Sequence, residues 1–238
     1  MAVTTIPAEI PPATSPGRDT YRHGDLRRAL IEAGVELARE GGPAAVGVRE
    51  ATRRVGVTPN AAYRHFVDRL ALLDAVCSAC QSRVAIAMET EQEAALAVLG
   101  GPAAGSPAAP ALTDAETRAL RARLRFRAVG TGYLRFALAE PGLFGAAFSP
   151  SSDLESATSA ARAGTTGRTP FELLTAALDD LVAVGVLPSE RRPGAEFLAW
   201  SAVHGLAALL IDGPLRALDP DQVQSLVGRV VTMVEQGL

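Results

Sequence analysis

An all-α fold is what this sequence predicts, on three observations. No clean alternation of apolar and polar residues lies between turn residues, so strand signals are nearly absent. The 22 Gly and 16 Pro residues fall mostly between helical patterns. The chain has 238 residues, is 48% hydrophobic and has a mean hydropathy of +0.16, enough for one large or two modest domains with a real core.

The elements follow in order. Pro7, Pro11, Pro12 and Pro16 mark residues 1–19 as a disordered arm. A first helix is expected from about Asp25 to Arg39, with Leu26, Leu30, Ala33, Val35 and Leu37 on its apolar face and Gly41-Gly42-Pro43 as its stop. A short helix over Val48–Val55 ends at Gly56, and an equally short one starts after Thr58. A fourth runs from Asp68 towards Leu99 without Gly or Pro, up to the Gly/Pro-rich break at residues 100–110. A long helix spans Asp114–Ala139 and stops at Pro141. An apolar turn (GLFGAAF) and a polar stretch from Ser149 to Pro170, a loop or a loop with one short helix, come next. Helices then fit Pro170–Val186, Pro193–Ile211 and Pro220–Gln236.

Two short helices joined at Gly56 have the spacing of a helix-turn-helix, in which Gly permits the tight turn. Val48, Ala51, Val55 and Val57 can face the core, leaving Arg49, Arg53 and Arg54 outside. In the next helix Asn60, Tyr63 and Arg64 have few core partners, and Phe66 and Leu70 supply the anchor. A helix that enters the major groove needs donors, acceptors and flat groups on its exposed side. Base reading is expected from Arg49, Pro59 and Asn60, and phosphate contacts from Thr58, Tyr63, His65 and Arg69. The alternative is an ordinary helical hairpin with a solvated face. Charge leans the same way: 10 arginines face 7 acids from Arg18 to Leu70, whereas 13 face 18 from Ala71 onward. All 23 basic residues are arginine, which carries no functional reading.

Tyr21 to Val76 resembles the DNA-binding domain of the tetracycline-repressor-like (TetR) transcriptional regulators. The His-Gly-Asp-Leu start at His23, the Gly56-Val57 turn, Tyr63-x-x-Phe66 and Asp68-x-x-x-Leu72-Leu73 carry the likeness. It implies a three-helix DNA-binding domain (residues 20–67) and a larger helical ligand-binding and dimerisation domain (68–238). It also implies a homodimer on a palindromic operator, released by a small effector, with DNA contacts at Arg49, Thr58, Pro59, Asn60, Tyr63, His65 and Arg69. Thr52, Val67, Arg69 and Leu70 depart from the family's usual residues, which touches operator preference more than binding.

Glu196 to Gly213 resembles a C-terminal domain of one TetR branch, marked by Trp200-x-x-x-His204-Gly205. Trp200 and His204 share a helix face. His204 is read as a core histidine or as lining a ligand pocket, and Gly205 as a place where another backbone comes close. Phe126, Tyr133, Phe136, Phe144, Phe148 and Met88 are candidates for core or for a pocket that takes an apolar or aromatic molecule. The last two helices are expected at the dimer interface, through Leu198, Ala202, Leu206 and Leu209 on one and Val223, Leu226, Val227, Val230 and Val234 on the other.

Arg118 to Arg127 holds five arginines in ten residues, a solvated helix surface or a second anion-binding patch. Cys77 and Cys80 are expected as buried thiols, with a redox switch as the alternative. Three His and two Cys assemble no metal cluster or nucleophile–base set, so no cofactor, no metal and no catalysis are expected. The competing class is an all-α ligand carrier or enzyme without DNA binding. The apolar run Phe197–Ile211 is too short to span a bilayer, and no signal peptide is visible, so a cytoplasmic protein with no membrane partner is expected.

Overall fold

The computed structural model describes residues 23–100, 112–149 and 155–238; the expected arm (1–19) and most of the Gly/Pro break lie outside them. Among the described residues the fold is helical throughout, with no strand. Helix α1 (His23–Ala45) is broken at Gly41 (φ −144°) and Gly42 (φ 64°), and Pro43 opens one further turn. Helix α2 (Val48–Val55) ends at Gly56 with φ 77°, a left-handed conformation that suits glycine. Helix α3 (Pro59–Ala62) is a single turn, and its N-cap residue Thr58 makes no side-chain capping bond. Asp68 then accepts from the Ala71 amide (2.8 Å) to start α4 (Arg69–Gly100).

Capping boxes set the later helix starts. Thr113 and Glu116 open α5 (Asp114–Ala139), Thr169 and Glu172 open α7 (Pro170–Ala183), and Asp219 and Gln222 open α9 (Pro220–Gly237). Between them lie α6 (Pro141–Ala147), which follows α5 after Glu140, and α8 (Ala195–Ile211), entered through Gly194 at φ 77°. Two 3₁₀ turns, Glu155–Thr158 and Ala160–Arg162, bridge the polar stretch. Helix α7 ends at Ala183, short of Val186, and α8 begins two residues after Pro193.

The core is continuous from Leu30 to Leu238, so packing runs unbroken across the boundary expected at residues 67/68. Helix α4 holds it together, lying against α1, α5, α6 and α7. By length and hydropathy, residues 69–99 of α4 are apolar enough to cross a membrane, which the shorter run in α8 is not. Half of the qualifying window is buried inside the protein, as suits a central core helix. Both cysteines are fully buried, and burial pushes the Cys80 thiol up to about 12, which leaves it protonated.

Two of the α5 arginines, with side chains 43% and 44% exposed, are already paired with an acid. Arg123 and Arg127 both grip the buried Glu235 carboxylate on α9, and Arg125 reaches Asp180 on α7 (3.1 Å). A second buried carboxylate, Glu89 on α4, accepts from the amides of Thr165 (2.8 Å) and Thr166 (3.0 Å) and from both hydroxyls. Burial pushes this carboxyl up, but the Thr165 and Thr166 bonds outweigh it and hold it below the ordinary value. Glu89→Gln replaces one acceptor oxygen by an amide NH2 group that must face donors. It is expected to destabilise the fold by about 2–3 kcal/mol, measured by urea unfolding; an unchanged midpoint would contradict this.

Candidate nucleic-acid interface and buried cavity

One end of the molecule carries the two short helices. Val48, Ala51 and Thr52 of α2 are buried, and Phe66 (2% exposed) anchors the turn after α3, with the Arg27 guanidinium 5.3 Å from its ring centre. The Thr52 hydroxyl donates to the Arg49 carbonyl (2.8 Å), which lets it stand at a buried position. Leu70, expected to share the anchoring, is 60% exposed, and Val67 beside it is 81% exposed. Both follow so short a helix that they project past its packed side.

The outward face holds Arg49, Thr58, Pro59, Asn60, Tyr63 and Arg64, all exposed, with His65 half-buried. Acids neutralise two arginines of α2: Arg53 is held by Glu50 (2.6 Å) and Arg54 by Glu40 (2.5 Å). Among the described residues Arg49 and Arg64 have no such partner, so the uncompensated positive charge sits beside Asn60 and Tyr63. Arg69, expected on a phosphate, is exposed and in part already committed to the protein's own backbone. Its Nε donates to the Val46 carbonyl and an Nη to the Pro43 carbonyl (2.7 Å each), so the guanidinium ties the α1–α2 connection to the start of α4.

In the larger half, α4, α5, α7, α8 and α9 enclose a cavity of about 360 Å³. Its wall is mainly aromatic and aliphatic, from Phe126, Tyr133, Phe148, Phe171, Trp200 and Met88, with Gln81 and Arg162 as polar exceptions. The Tyr133 hydroxyl accepts from Trp200 Nε1 (3.2 Å) and lies 2.7 Å from His204 Nδ1. Burial raises the Tyr133 pKa and lowers that of His204, so the phenol keeps its proton and donates it to a neutral imidazole. Trp200 and His204, one turn apart, thereby fix a single tyrosine oxygen. Three of the expected pocket residues stay out of the wall. Phe144 packs edge-on against Tyr133 (5.3 Å), His204 lies behind it, and Phe136 is half-buried in the core. Gln81 and Arg162 were not foreseen: Gln81 continues the buried Leu73, Cys77, Val84 and Met88 face of α4 but is polar, and Arg162 follows no helical period.

The expected interface helices divide by burial. Leu206, Val227 and Val234 are turned into the protomer's own core. Ala202, Val223, Leu226 and Val230 are half-buried, whereas Leu198 (66%) and Leu209 (43%) are exposed, as are Phe197 and Met233. Gly205 has nothing within 4 Å of where a Cβ would stand, so no backbone of the same chain approaches it.

The two halves are joined by close contacts. A Cβ on Gly142 of α6 would lie 2.3 Å from the Ala38 carbonyl oxygen and 2.7 Å from that of Arg39, so α6 rests directly on the end of α1. Arg39 also pairs with Glu140 (2.9 Å), and within the larger half Gln81 of α4 donates to the Ala147 carbonyl at the end of α6 (2.8 Å).

Two family models match the chain. The model for bacterial regulatory proteins of the tetR family matches residues 30–76, and that for the tetracyclin repressor-like C-terminal domain matches residues 126–234. A protein of unknown function from Rhodococcus sp. RHA1 shares the fold with a TM-score of 0.63 at 24% identity, over 93% of this chain and 99% of that one. A candidate TetR-family transcriptional regulator from Mesorhizobium loti MAFF303099 aligns with a TM-score of 0.51 at 13% identity, over 91% and 98%. No curated protein matches the chain.

Proposed function

The chain belongs to the TetR family and is a ligand-responsive DNA-binding transcriptional regulator, not an enzyme; we propose that it acts as a cytoplasmic homodimeric repressor. The observation that carries this reading is the outward face of α2 and α3, where Arg49, Asn60 and Tyr63 stand exposed while Arg53 and Arg54 are neutralised by acids. Arg49 and Asn60 read base edges, with Pro59 against a thymine methyl. Thr58, whose hydroxyl is not spent on capping, Tyr63, His65 and Arg64 bind phosphates.

The second copy docks on α8 and α9. Leu198 and Leu209 support this, as apolar groups left on a face whose Gly205 keeps space for a partner helix. A two-fold pair sets its reading helices about 34–36 Å apart, one turn of DNA, which calls for a palindrome. The effector binds in the aromatic cavity. Release follows if it prefers the arrangement of α4 and α6 that moves α1 and the reading helices off that spacing.

DNA sequences selected from a random pool test this. The selected site is expected to be palindromic and to sediment with two protomers. Its association constant should fall with a log–log salt slope of roughly −2 or steeper. Salt-independent binding, or none, would sink the regulator reading of these helices.

A further inference from the structure

Arg162 is the one charged side chain among the described residues that line the cavity. It is 2% exposed, and its Nε is buried with no hydrogen-bond partner. The only acid that pairs with it among the described residues is Asp74, whose Oδ1 stands 3.8 Å from Nη2 and whose side chain is 59% exposed. That separation gives charge attraction without a hydrogen bond. A guanidinium does not lose its proton in proteins, so burial leaves a permanent cation that is poorly compensated.

The backbone under Arg162 is held firmly. Ser82 donates to the Ala163 carbonyl (2.6 Å), and Glu89 clamps Thr165 and Thr166. All these anchors, with Asp74, lie on α4. The side chain is therefore positioned at the wall by the fold, while among the described residues only Asp74, at 3.8 Å, faces its charge. Around it the surface is apolar apart from Gln81, whose amide is committed to Ala147.

We propose that the cavity takes an amphipathic carboxylic acid, with its apolar or aromatic body among Phe126, Phe148, Phe171 and Trp200 and its carboxylate on Arg162. A lone arginine balances a single negative charge, and its planar fork matches two carboxylate oxygens. A phosphate dianion would need donors that this wall lacks. Binding competes with Asp74 for the guanidinium and so acts on α4. The same helix begins at Arg69, which holds the Val46 and Pro43 carbonyls of the reading head. The proposal rests on the cavity being the effector site.

Trp200 is the chain's single tryptophan and lines the cavity, so its fluorescence reports occupancy. Decanoate is titrated against 1-decanol, and 4-phenylbutyrate against 4-phenyl-1-butanol, on the full chain and on Arg162→Met. At neutral pH at least one acid is expected to bind the wild type about tenfold or more tighter than its alcohol. Arg162→Met should erase that preference and keep alcohol binding. Equal or tighter binding of both alcohols by the wild type overturns the acid assignment and leaves the cavity reading standing. A preference that survives in Arg162→Met removes the role from Arg162. No response to any of the four compounds overturns the cavity reading and this proposal together. Should Arg162→Met fail to fold, the wild-type comparison decides alone.

Discussion

Arg49→Ala is expected to weaken operator binding by about 1–3 kcal/mol, roughly five- to 150-fold, and to relax base preference at one position of each half-site. Fluorescence anisotropy on the selected operator and on single-base variants measures both effects. Thermal stability should not change, because Arg49 is exposed and makes no ion pair with any described residue. Two neighbours serve as comparisons. Arg53→Ala removes a charge already neutralised by Glu50, so it should cost less affinity. Arg69→Ala releases the Val46 and Pro43 carbonyls and should lower the melting temperature as well as binding. If Arg49→Ala left the operator affinity intact, the reading face would have to lie elsewhere.

Gly142→Ala is expected to be the most damaging single methyl in the molecule outside the reading head. The added carbon would stand 2.3 Å from one carbonyl oxygen and 2.7 Å from another. Backbone oxygens at a helix end cannot swing aside as a flexible side chain can, so α6 must lift from α1. Such overpacking costs about 2–3 kcal/mol, or roughly 5–10 °C in melting temperature for a chain of this size. Since α6 touches both α1 and the cavity wall through Phe148, operator affinity and its response to effector should change as well. Gly145→Ala on the same helix is the control, because its Cβ would meet only Pro43 Cδ, at 3.6 Å. Equal effects of the two substitutions would refute the α6–α1 contact as the coupling point.

Most of the helices were legible because their signals are local. Gly56, Thr58-Pro59, the Pro141 stop and the Pro220 start each act within one turn, and the helix bounds fall within a few residues of those signals. The helix-turn-helix was legible for the same reason: its outward residues are those that the apolar period leaves over. The cavity was legible only in part. Phe126, Tyr133, Phe148 and Trp200 line it, but Phe144, equally aromatic, packs behind Tyr133, and no property of a phenylalanine distinguishes the two places.

By itself, then, the sequence determined the all-α class, the order of the helices and which polar residues of α2 and α3 stay exposed, since these depend on neighbours within about four residues. Only the tertiary structure decided which apolar residues of α8 and α9 turn inward and which stay exposed. It also turned Arg69 onto backbone carbonyls, set Arg123 and Arg127 on Glu235, and sealed Arg162 in an apolar wall. Those outcomes join residues from 23 to 112 positions apart. Helical periodicity specifies which face a side chain occupies but not what packing brings against that face.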